Sequence, residues 1–151
     1  MSTDSVLARL LPAARAAGEP SRILDGIPYA RMLGLVASID GSAVLVRMPR
    51  SEHLVGNPVI QALHGGTVGA LLESTAILEL LWRADTESVP KTITLTIDYL
   101  RSARLQDTFA RATVTRHGRR VANVQVRAYQ ESQQKPIAVA NAHFLLRGSR
   151  D

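Results

Sequence analysis

One stretch of the sequence would, as a helix, carry hydrophobic side chains on almost every side. It runs from about His64 to Trp82 or Arg83, and its apolar residues recur at helical spacing around the whole axis. A helix that is apolar on nearly all faces is buried in a protein core rather than laid on its surface. The pattern therefore predicts one long central helix.

The spacing of the hydrophobic residues changes from helical to alternating after Pro90. Residues 92–100 alternate hydroxyl-bearing side chains with large apolar ones, which is typical of a half-buried strand. Three further strands are predicted at 108–115, 121–129 and 136–146, with turns between them. In the first two of these, alanine and valine supply the inward faces, which lets a helix pack close to them.

The elements before the long helix are shorter. Residues 1–18 predict an amphipathic N-terminal helix, and residues 22–33 predict a short helix or turn. Two apolar runs, 35–39 and 43–48, are joined by Asp40-Gly41, and Asp-Gly between such runs is a strong signal for a β-hairpin. The first third of the chain is therefore a helical extension followed by a hairpin.

The order of these elements predicts the fold class. Residues 49–63 predict a loop, so the order is hairpin, buried helix and then a four-strand meander. Short links make the strands antiparallel, and a helix that is apolar all round needs a sheet curled around it. We expect an α+β domain over 1–151 with five to six antiparallel strands around a long central helix, and 1–20 as an N-terminal helical extension.

Composition narrows the class of protein. The 151 residues are 46% hydrophobic and 21% charged, as in globular domains, and no run of about eighteen apolar residues indicates a membrane span. The N-terminus shows no continuous apolar core of a targeting peptide. The absence of cysteine excludes disulfides, thiolate metal sites and a cysteine nucleophile, and no histidine spacing predicts a metal site. We expect a cytoplasmic protein.

The net charge of +5 allows several kinds of anionic partner. The arginines are spread along the chain except for two groups, Arg101 with Arg104 and Arg116 with Arg119 and Arg120. Aromatic residues make up only 4%, which leaves little for base stacking, and no nucleic-acid-binding motif occurs. The predicted partner is a phosphorylated small molecule rather than a nucleic acid.

One carboxylate stands out within the long helix. Helix neighbours lie three or four positions away, and those of Glu73 are all apolar or glycine. Burying an unpaired carboxylate is costly, and such a group can serve as a general base or nucleophile. The alternative is a structural glutamate bonded to the backbone, to Ser74 or to Thr75. By contrast, Glu79 with Arg83 four residues on has the pattern of an ordinary surface ion pair.

The head of the long helix reads His64-Gly65-Gly66. Amides in a first helical turn have no internal partner and lie at the positive end of the helix dipole. Glycines there allow another group to approach closely. The motif therefore predicts a site for an anion or a polarised carbonyl oxygen. A glycine-assisted turn from loop to helix is the alternative.

The spacing between Gly65 and Glu73 has a geometric consequence. Eight residues of helix span about 12 Å at ~1.5 Å per residue. A carbonyl held ~3 Å from the Gly65 amide is therefore out of reach of Glu73 on the same helix. If both act on one centre, two helices must lie antiparallel across a two-fold axis. This predicts a C2 homodimer with two shared active sites.

The residues at and around the helix resemble the hotdog-fold acyl-CoA thioesterases, in particular the PaaI-like (phenylacetate-pathway) group. The resemblance covers roughly residues 30–146 and implies a hotdog fold. The motifs that carry it are His64-Gly65-Gly66 with Leu71-Leu72-Glu73 in the helix, Asp98-Tyr99-Leu100-Arg101 in the strand after it, the turn Gly118-Arg119-Arg120-Val121, and the closing Ala142-His143-Phe144.

The resemblance implies hydrolysis of an acyl-CoA thioester, with coenzyme A as part of the substrate and no separate cofactor. The Gly65 N–H would polarise the thioester carbonyl, and Glu73 would attack it or activate water. His64 would support the geometry of the site or cap the helix. Asn57 resembles an upstream asparagine near the site, and Thr92 falls where related enzymes place a hydroxyl that orients water.

The resemblance also implies substrate contacts and an assembly. CoA carries phosphates, which arginine binds well. A homodimer is expected, and a homotetramer is common in the family. The expected substrate-binding residues are Gly66, Ser74, Arg101, Arg104, Arg119 and Arg120.

Two alternatives to a thioesterase remain at this point. A hotdog hydratase or dehydratase acting on acyl thioesters usually needs a histidine paired with the helix carboxylate, whereas His64 lies about two and a half turns from Glu73 by the ~3.6-residue period. A non-catalytic acyl-CoA-binding or regulatory protein would gain nothing from a buried charge.

Overall fold

A curved antiparallel sheet surrounds one long helix, so the predicted α+β fold is confirmed. The computed structural model describes residues 3–83 and 88–147. The helices are α1 (Thr3–Ala17), α2 (Ser21–Asp25), α3 (Pro28–Leu33) and α4 (Gly65–Arg83). The strands are β1 (Val36–Asp40), β2 (Ala43–Met48), β3 (Val55–Asn57), β4 (Ala62–Leu63), β5 (Lys91–Tyr99), β6 (Thr108–His117), β7 (Val121–Tyr129) and β8 (Ala138–Leu145).

The long helix α4 lies in the core, as its all-round hydrophobicity predicts. Leu71, Leu72 and Leu81 are fully buried. The strands that face it are lined with small residues, and Ala110 and Ala128 are likewise without exposed surface. Because these side chains are small, the helix approaches the sheet closely. None of the helices in the described residues is long and apolar enough to cross a membrane.

The position of β5 differs from the predicted four-strand meander. The six-stranded sheet has the order β1-β2-β6-β7-β8-β5, so β5 pairs with β8 and forms an edge. Residues 100–107 carry the chain to β6 and pass beside β4, where the Leu63 N–H donates to the Ala103 carbonyl at 2.8 Å. Alternation along a strand reports its two faces and says nothing about its neighbours, which is why the pattern missed this crossing.

The segment 49–63 is more ordered than the predicted loop. It contains a 3-10 turn at Glu52–Leu54 and the two-stranded hairpin β3–β4, which ends immediately before α4. Strands of three and two residues are too short to show alternation in the sequence. The hairpin matters because it fixes where α4 begins.

The N-terminal helix α1 is docked on the domain. Leu7, Leu11 and Ala14 are buried, and Arg15 donates from Nη2 to the Leu81 carbonyl at 2.5 Å. A guanidinium at a helix C-terminus satisfies one of the carbonyls that lack an internal partner there. The extension therefore covers the C-terminal end of α4.

The prediction that Glu79 forms an ordinary surface pair was wrong in one respect. Glu79 does pair with Arg83, but its side chain is only 1% exposed. Its Oε2 accepts the Val44 N–H at 2.9 Å, and Arg83 donates to the Ser42 carbonyl at 2.6 Å. The β1–β2 hairpin folds over the carboxylate, a long-range contact that helical spacing cannot reveal.

Asp107 joins the end of β2 to the start of β6. Its carboxylate accepts the Arg50 N–H at 2.8 Å and the Arg47 guanidinium at 3.1 Å. The hydrogen bond from the Arg50 backbone, followed by that from Arg47, holds the pKa of Asp107 below its usual value. The carboxylate therefore stays ionised to a lower pH than an ordinary aspartate does.

Candidate active site

The first turn of α4 leaves one amide free. The Gly66 N–H donates to His64 Nδ1 at 2.9 Å, and the Thr67 N–H donates to the His64 carbonyl at 3.0 Å. Among the residues that the structure describes, no acceptor bonds the Gly65 N–H. This amide lies at the positive end of the helix dipole. It is therefore available to a carbonyl oxygen or an anion.

A cavity of about 370 Å³ adjoins Gly65. Leu63 and Val68 line it with apolar surface, while Tyr99 and Arg101 contribute polar groups. Small-molecule sites combine mainly apolar walls with a few directed polar groups. The cavity is thus of a kind that receives part of a substrate beside the free amide.

Glu73 lies at the edge of the sheet and is half-buried rather than enclosed by apolar neighbours as predicted. The helix turns its side chain toward β5, where Thr92 Oγ1 donates to Glu73 Oε1 at 2.6 Å. Thr75, one of the alternative partners, instead donates to the Leu71 carbonyl. Within residues 3–83 and 88–147, no lysine or arginine forms a salt bridge with Glu73. One polar hydrogen bond thus orients a carboxylate that has no paired cation.

A single chain keeps the two predicted reacting groups apart. Gly65 begins α4 and Glu73 follows eight residues later on the same helix, a rise of about 12 Å. The cavity beside Gly65 is not lined by Glu73. One chain therefore presents the two groups at separate positions.

His64 forms the cap of α4. Its Nδ1 accepts a backbone N–H from the first turn, which is what an N-cap side chain does. Because Nδ1 is an acceptor, the proton of the neutral ring lies on Nε2. The bond accounts for His64 without any proton transfer to substrate.

Replacing His64 separates capping from acid–base chemistry. His64→Ala should lower the free energy of unfolding by about 1 kcal/mol, the usual cost of a lost cap, and should reduce activity. His64→Asn should restore both, because its side-chain oxygen also accepts the amide bond. Urea unfolding and steady-state kinetics measure the two effects. If the asparagine variant were as inactive as the alanine variant while fully stable, the ring itself would take part in the chemistry.

Asn57 is engaged in the hairpin that precedes α4. Its Oδ1 accepts the N–H groups of Val59 at 3.1 Å and Ile60 at 3.5 Å, and Gln61 then adopts a left-handed φ of 51°. These bonds form a turn that an asparagine side chain stabilises. The structure therefore shows Asn57 stabilising the turn of the hairpin that precedes α4.

Gly56 supports the head of the helix and was not identified from the sequence. A Cβ on Gly56 would lie 2.6 Å from His64 Cα, closer than any side chain tolerates. Only glycine lets the hairpin backbone approach His64 so closely. A glycine before a loop is common, so nothing in the sequence distinguished this one.

The predicted arginines fall into two groups at opposite ends of the sheet. Arg101, Arg104 and Lys135 line a second cavity of about 210 Å³. Arg101 also lines the cavity beside Gly65. Arg119 and Arg120 lie just before β7. The first residue of β7 pairs with the last residue of β8, and that residue also pairs with the first residue of β5. One group is therefore near Gly65 and the other is at the end that carries Thr92.

Ser74 and Gly66 differ in what they offer a substrate. Ser74 is half-buried and forms no hydrogen bond among the described residues. Gly66 gives its amide to His64, and a Cβ there would lie 2.9 Å from the imidazole. Gly66 thus preserves the cap rather than contacting a ligand through its amide.

The sequence and the fold both have known counterparts. Residues 61–137 match the thioesterase superfamily. A protein from Chromobacterium violaceum is 34% identical, with 92% of this chain and 97% of that chain covered and a TM-score of 0.76. A phenylacetic acid degradation-related protein from Ralstonia eutropha is 27% identical over 84% of this chain and 98% of its own, with a TM-score of 0.72.

The PaaI protein of the Escherichia coli phenylacetic acid degradation operon shares the fold. It is 20% identical, covers 97% of this chain and 100% of its own, and has a TM-score of 0.69. No curated protein matches the sequence. Three observations agree on the family: the sequence match over half of the chain, the architecture and the arrangement of α4. The chain belongs to the thioesterase superfamily and is a PaaI-like hotdog thioester hydrolase.

Proposed function

We propose that the protein hydrolyses the thioester of a small-to-medium acyl-CoA in an active site shared by two protomers. One observation carries the proposal most directly. The Gly65 N–H, at the positive end of α4, has no acceptor in the described part of the chain, while Glu73 lies eight residues further along the same helix. Glu73 of one protomer therefore acts with Gly65 of the partner subunit.

The proposed reaction uses these groups as follows. The Gly65 amide donates to the thioester carbonyl oxygen, where negative charge develops in the transition state. Glu73 takes a proton from a water molecule that attacks the carbonyl carbon, or attacks that carbon itself to give an anhydride that water then cleaves. In both routes the C–S bond breaks, a C–O bond forms, and CoA leaves as the thiol.

Thr92 orients the carboxylate in this scheme. Its hydroxyl donates to Oε1 of Glu73 at 2.6 Å. This bond occupies one carboxylate oxygen and leaves Oε2 for water or substrate. No lysine or arginine of the described residues pairs with Glu73, so a cation does not occupy its second oxygen.

The exposed edge of β5 supports the homodimer. An unpaired edge strand invites pairing with another chain. Three large apolar side chains on or just after β5 are about half exposed: Ile93 at 54%, Tyr99 at 55% and Leu100 at 51%. Antiparallel pairing of β5 with its copy across a two-fold axis would cover them. It would also bring the Gly65 end of one protomer toward the Glu73 end of the other.

The two arginine groups fit a phosphate-bearing carrier in such a dimer. Arg101, Arg104 and Lys135 lie at the Gly65 end, and Arg119 and Arg120 at the opposite end. A two-fold axis between antiparallel protomers places one group of each kind beside each shared site. The phosphates of coenzyme A match these guanidinium groups.

A substrate panel tests the proposed activity. Thiol release is measured with short, medium, long and aromatic acyl-CoAs, and double-bond hydration is followed separately with an enoyl-CoA. We expect thiol release that is fastest for short or medium chains, without hydration. Tight acyl-CoA binding with no thiol release would support a regulatory protein instead, and hydration would support a hydratase.

A heterodimer tests whether the active site is shared. One chain carries Glu73→Gln and the other carries Gly65→Pro, which removes the amide proton. With shared sites, the heterodimer has one intact site of two and should show about half of the wild-type kcat per dimer. Two affinity tags isolate the heterodimer, and light scattering verifies two chains per particle.

Each homodimeric variant serves as the control for the heterodimer. Both should fall to about 1% of wild-type kcat or below, because every site lacks either the amide or the carboxylate. If the heterodimer were no more active than the two homodimeric variants while both variants remained dimeric, each site would be built from a single chain. The shared site would then be wrong even if the protein hydrolyses acyl-CoA.

A further inference from the structure

Tyr99 connects the end of β5 to the head of α4. Its hydroxyl donates to the Gly65 carbonyl at 2.8 Å. A Cβ built on Gly65 would lie 3.4 Å from the ring of Tyr99, and one on Gly69 would lie 3.5 Å from its hydroxyl. The ring therefore lies against the glycine face of the first helical turn, and the hydroxyl bonds the residue that carries the free amide.

The helix does not need this hydrogen bond to satisfy its backbone. The Gly65 carbonyl is at the start of α4, where the N–H four residues on is its ordinary helical partner. A carbonyl oxygen has a second lone pair, and Tyr99 occupies it. The bond from Tyr99 is thus additional to the helical pattern and acts specifically on Gly65.

The backbone at the start of α4 needs to be held in place. Two consecutive glycines, Gly65 and Gly66, begin the helix, and glycine has more backbone freedom than any other residue. A donor stabilises a developing oxyanion best when its direction is fixed beforehand. His64 restrains the Gly66 amide from within the same turn. Tyr99 restrains Gly65 from a different element.

We propose that Tyr99 is a positioning residue for the Gly65 amide. The carbonyl that Tyr99 holds from β5 belongs to the peptide bond between Gly65 and Gly66, so this hydrogen bond limits rotation about the Gly65 Cα and thereby restrains the free amide on the other side of that atom. This inference rests on the proposed function. In this proposal β5 supports both groups, because Thr92 near the start of the strand orients Glu73 and Tyr99 at its end restrains Gly65. One strand thereby sets both half-sites of its chain.

Tyr99→Phe tests the proposal, since it removes the hydroxyl and keeps the ring against Gly65 and Gly69. We expect kcat for thioester hydrolysis to fall about five- to tenfold, the value of one net hydrogen bond, with KM within about twofold. We also expect lower ¹⁵N order parameters for the Gly65 and Gly66 amides, which are measurable without any substrate. Tyr29→Phe is the matched control.

The control is chosen for equal exposure. Tyr29 is 52% exposed against 55% for Tyr99, and it makes no hydrogen bond among the described residues. Tyr29→Phe should leave kcat, KM and both order parameters unchanged. Light scattering establishes that each variant keeps the wild-type oligomeric state.

Three results would overturn the proposal. Unchanged order parameters in Tyr99→Phe would show that the hydroxyl does not restrain Gly65, whatever the activity. A rise in KM with unchanged kcat would make Tyr99 a substrate-binding residue. Loss of the dimer would show that the hydroxyl stabilises the interface rather than Gly65. If the wild type hydrolysed no acyl-CoA, the proposed function would fail, and the order parameters alone would still decide whether Tyr99 holds Gly65.

Discussion

Glu73→Gln should lower kcat for acyl-CoA hydrolysis by about 10²- to 10⁴-fold, the usual contribution of a general base. Glutamine keeps the size of the side chain, and its amide oxygen can still accept the bond that Thr92 donates at 2.6 Å. The fold should therefore be preserved while the group that accepts the proton or attacks the carbonyl is lost. Steady-state thiol release, with the thermal midpoint measured in parallel, gives both quantities.

Glu79 supplies the matched control on the same helix. It is the buried glutamate of α4, bonded to the Val44 amide and paired with Arg83. Glu79→Gln should lower the thermal midpoint, because the buried side chain loses the charge that pairs with half-exposed Arg83, and should change kcat of the folded enzyme by less than about threefold. If Glu73→Gln kept wild-type turnover, or if both variants lost activity equally while folded, Glu73 would not be the reacting carboxylate.

The comparison of these two glutamates shows where sequence reasoning reached its limit. Helical spacing identified Glu73 as the carboxylate without a cation on its own helix, and the structure shows none in the described residues. The same spacing predicted the Glu79–Arg83 pair but not its burial. Local periodicity reports contacts within one element, whereas burial depends on the hairpin that folds over that element.

The fold likewise divides into features within one element, which the sequence predicts, and contacts between distant elements, which it does not. The long helix and the strand positions follow from periods of 3.6 and 2, and the small inward residues anticipated close packing. The edge position of β5 depends on pairing between residues far apart in the sequence, such as Lys91 with Leu145. Tyr99 and Gly56 were missed as supports of the helix head for that reason. Each contacts α4 or His64 from another element.

Gly65→Pro should lower kcat by about 10²- to 10³-fold, the loss measured when one oxyanion-hole donor is removed. Proline is favoured at the first position of a helix, where its missing N–H costs no helical hydrogen bond. Gly65 occupies that position after the His64 cap, and its amide has no acceptor among the described residues. The substitution therefore removes the amide hydrogen, adds the proline ring and leaves α4 able to form.

Gly65→Ala separates the lost hydrogen from the added bulk. A Cβ at this position would lie 3.4 Å from the Tyr99 ring, an ordinary van der Waals contact, so alanine fits and keeps its N–H. We expect kcat within about threefold of wild type for alanine and the large loss only for proline, with similar far-UV circular dichroism for both. Full activity of a folded proline variant would remove Gly65 from the oxyanion site. Equal losses in both variants would indicate that the cavity beside α4 tolerates no side chain there, and that shape rather than the amide sets the rate.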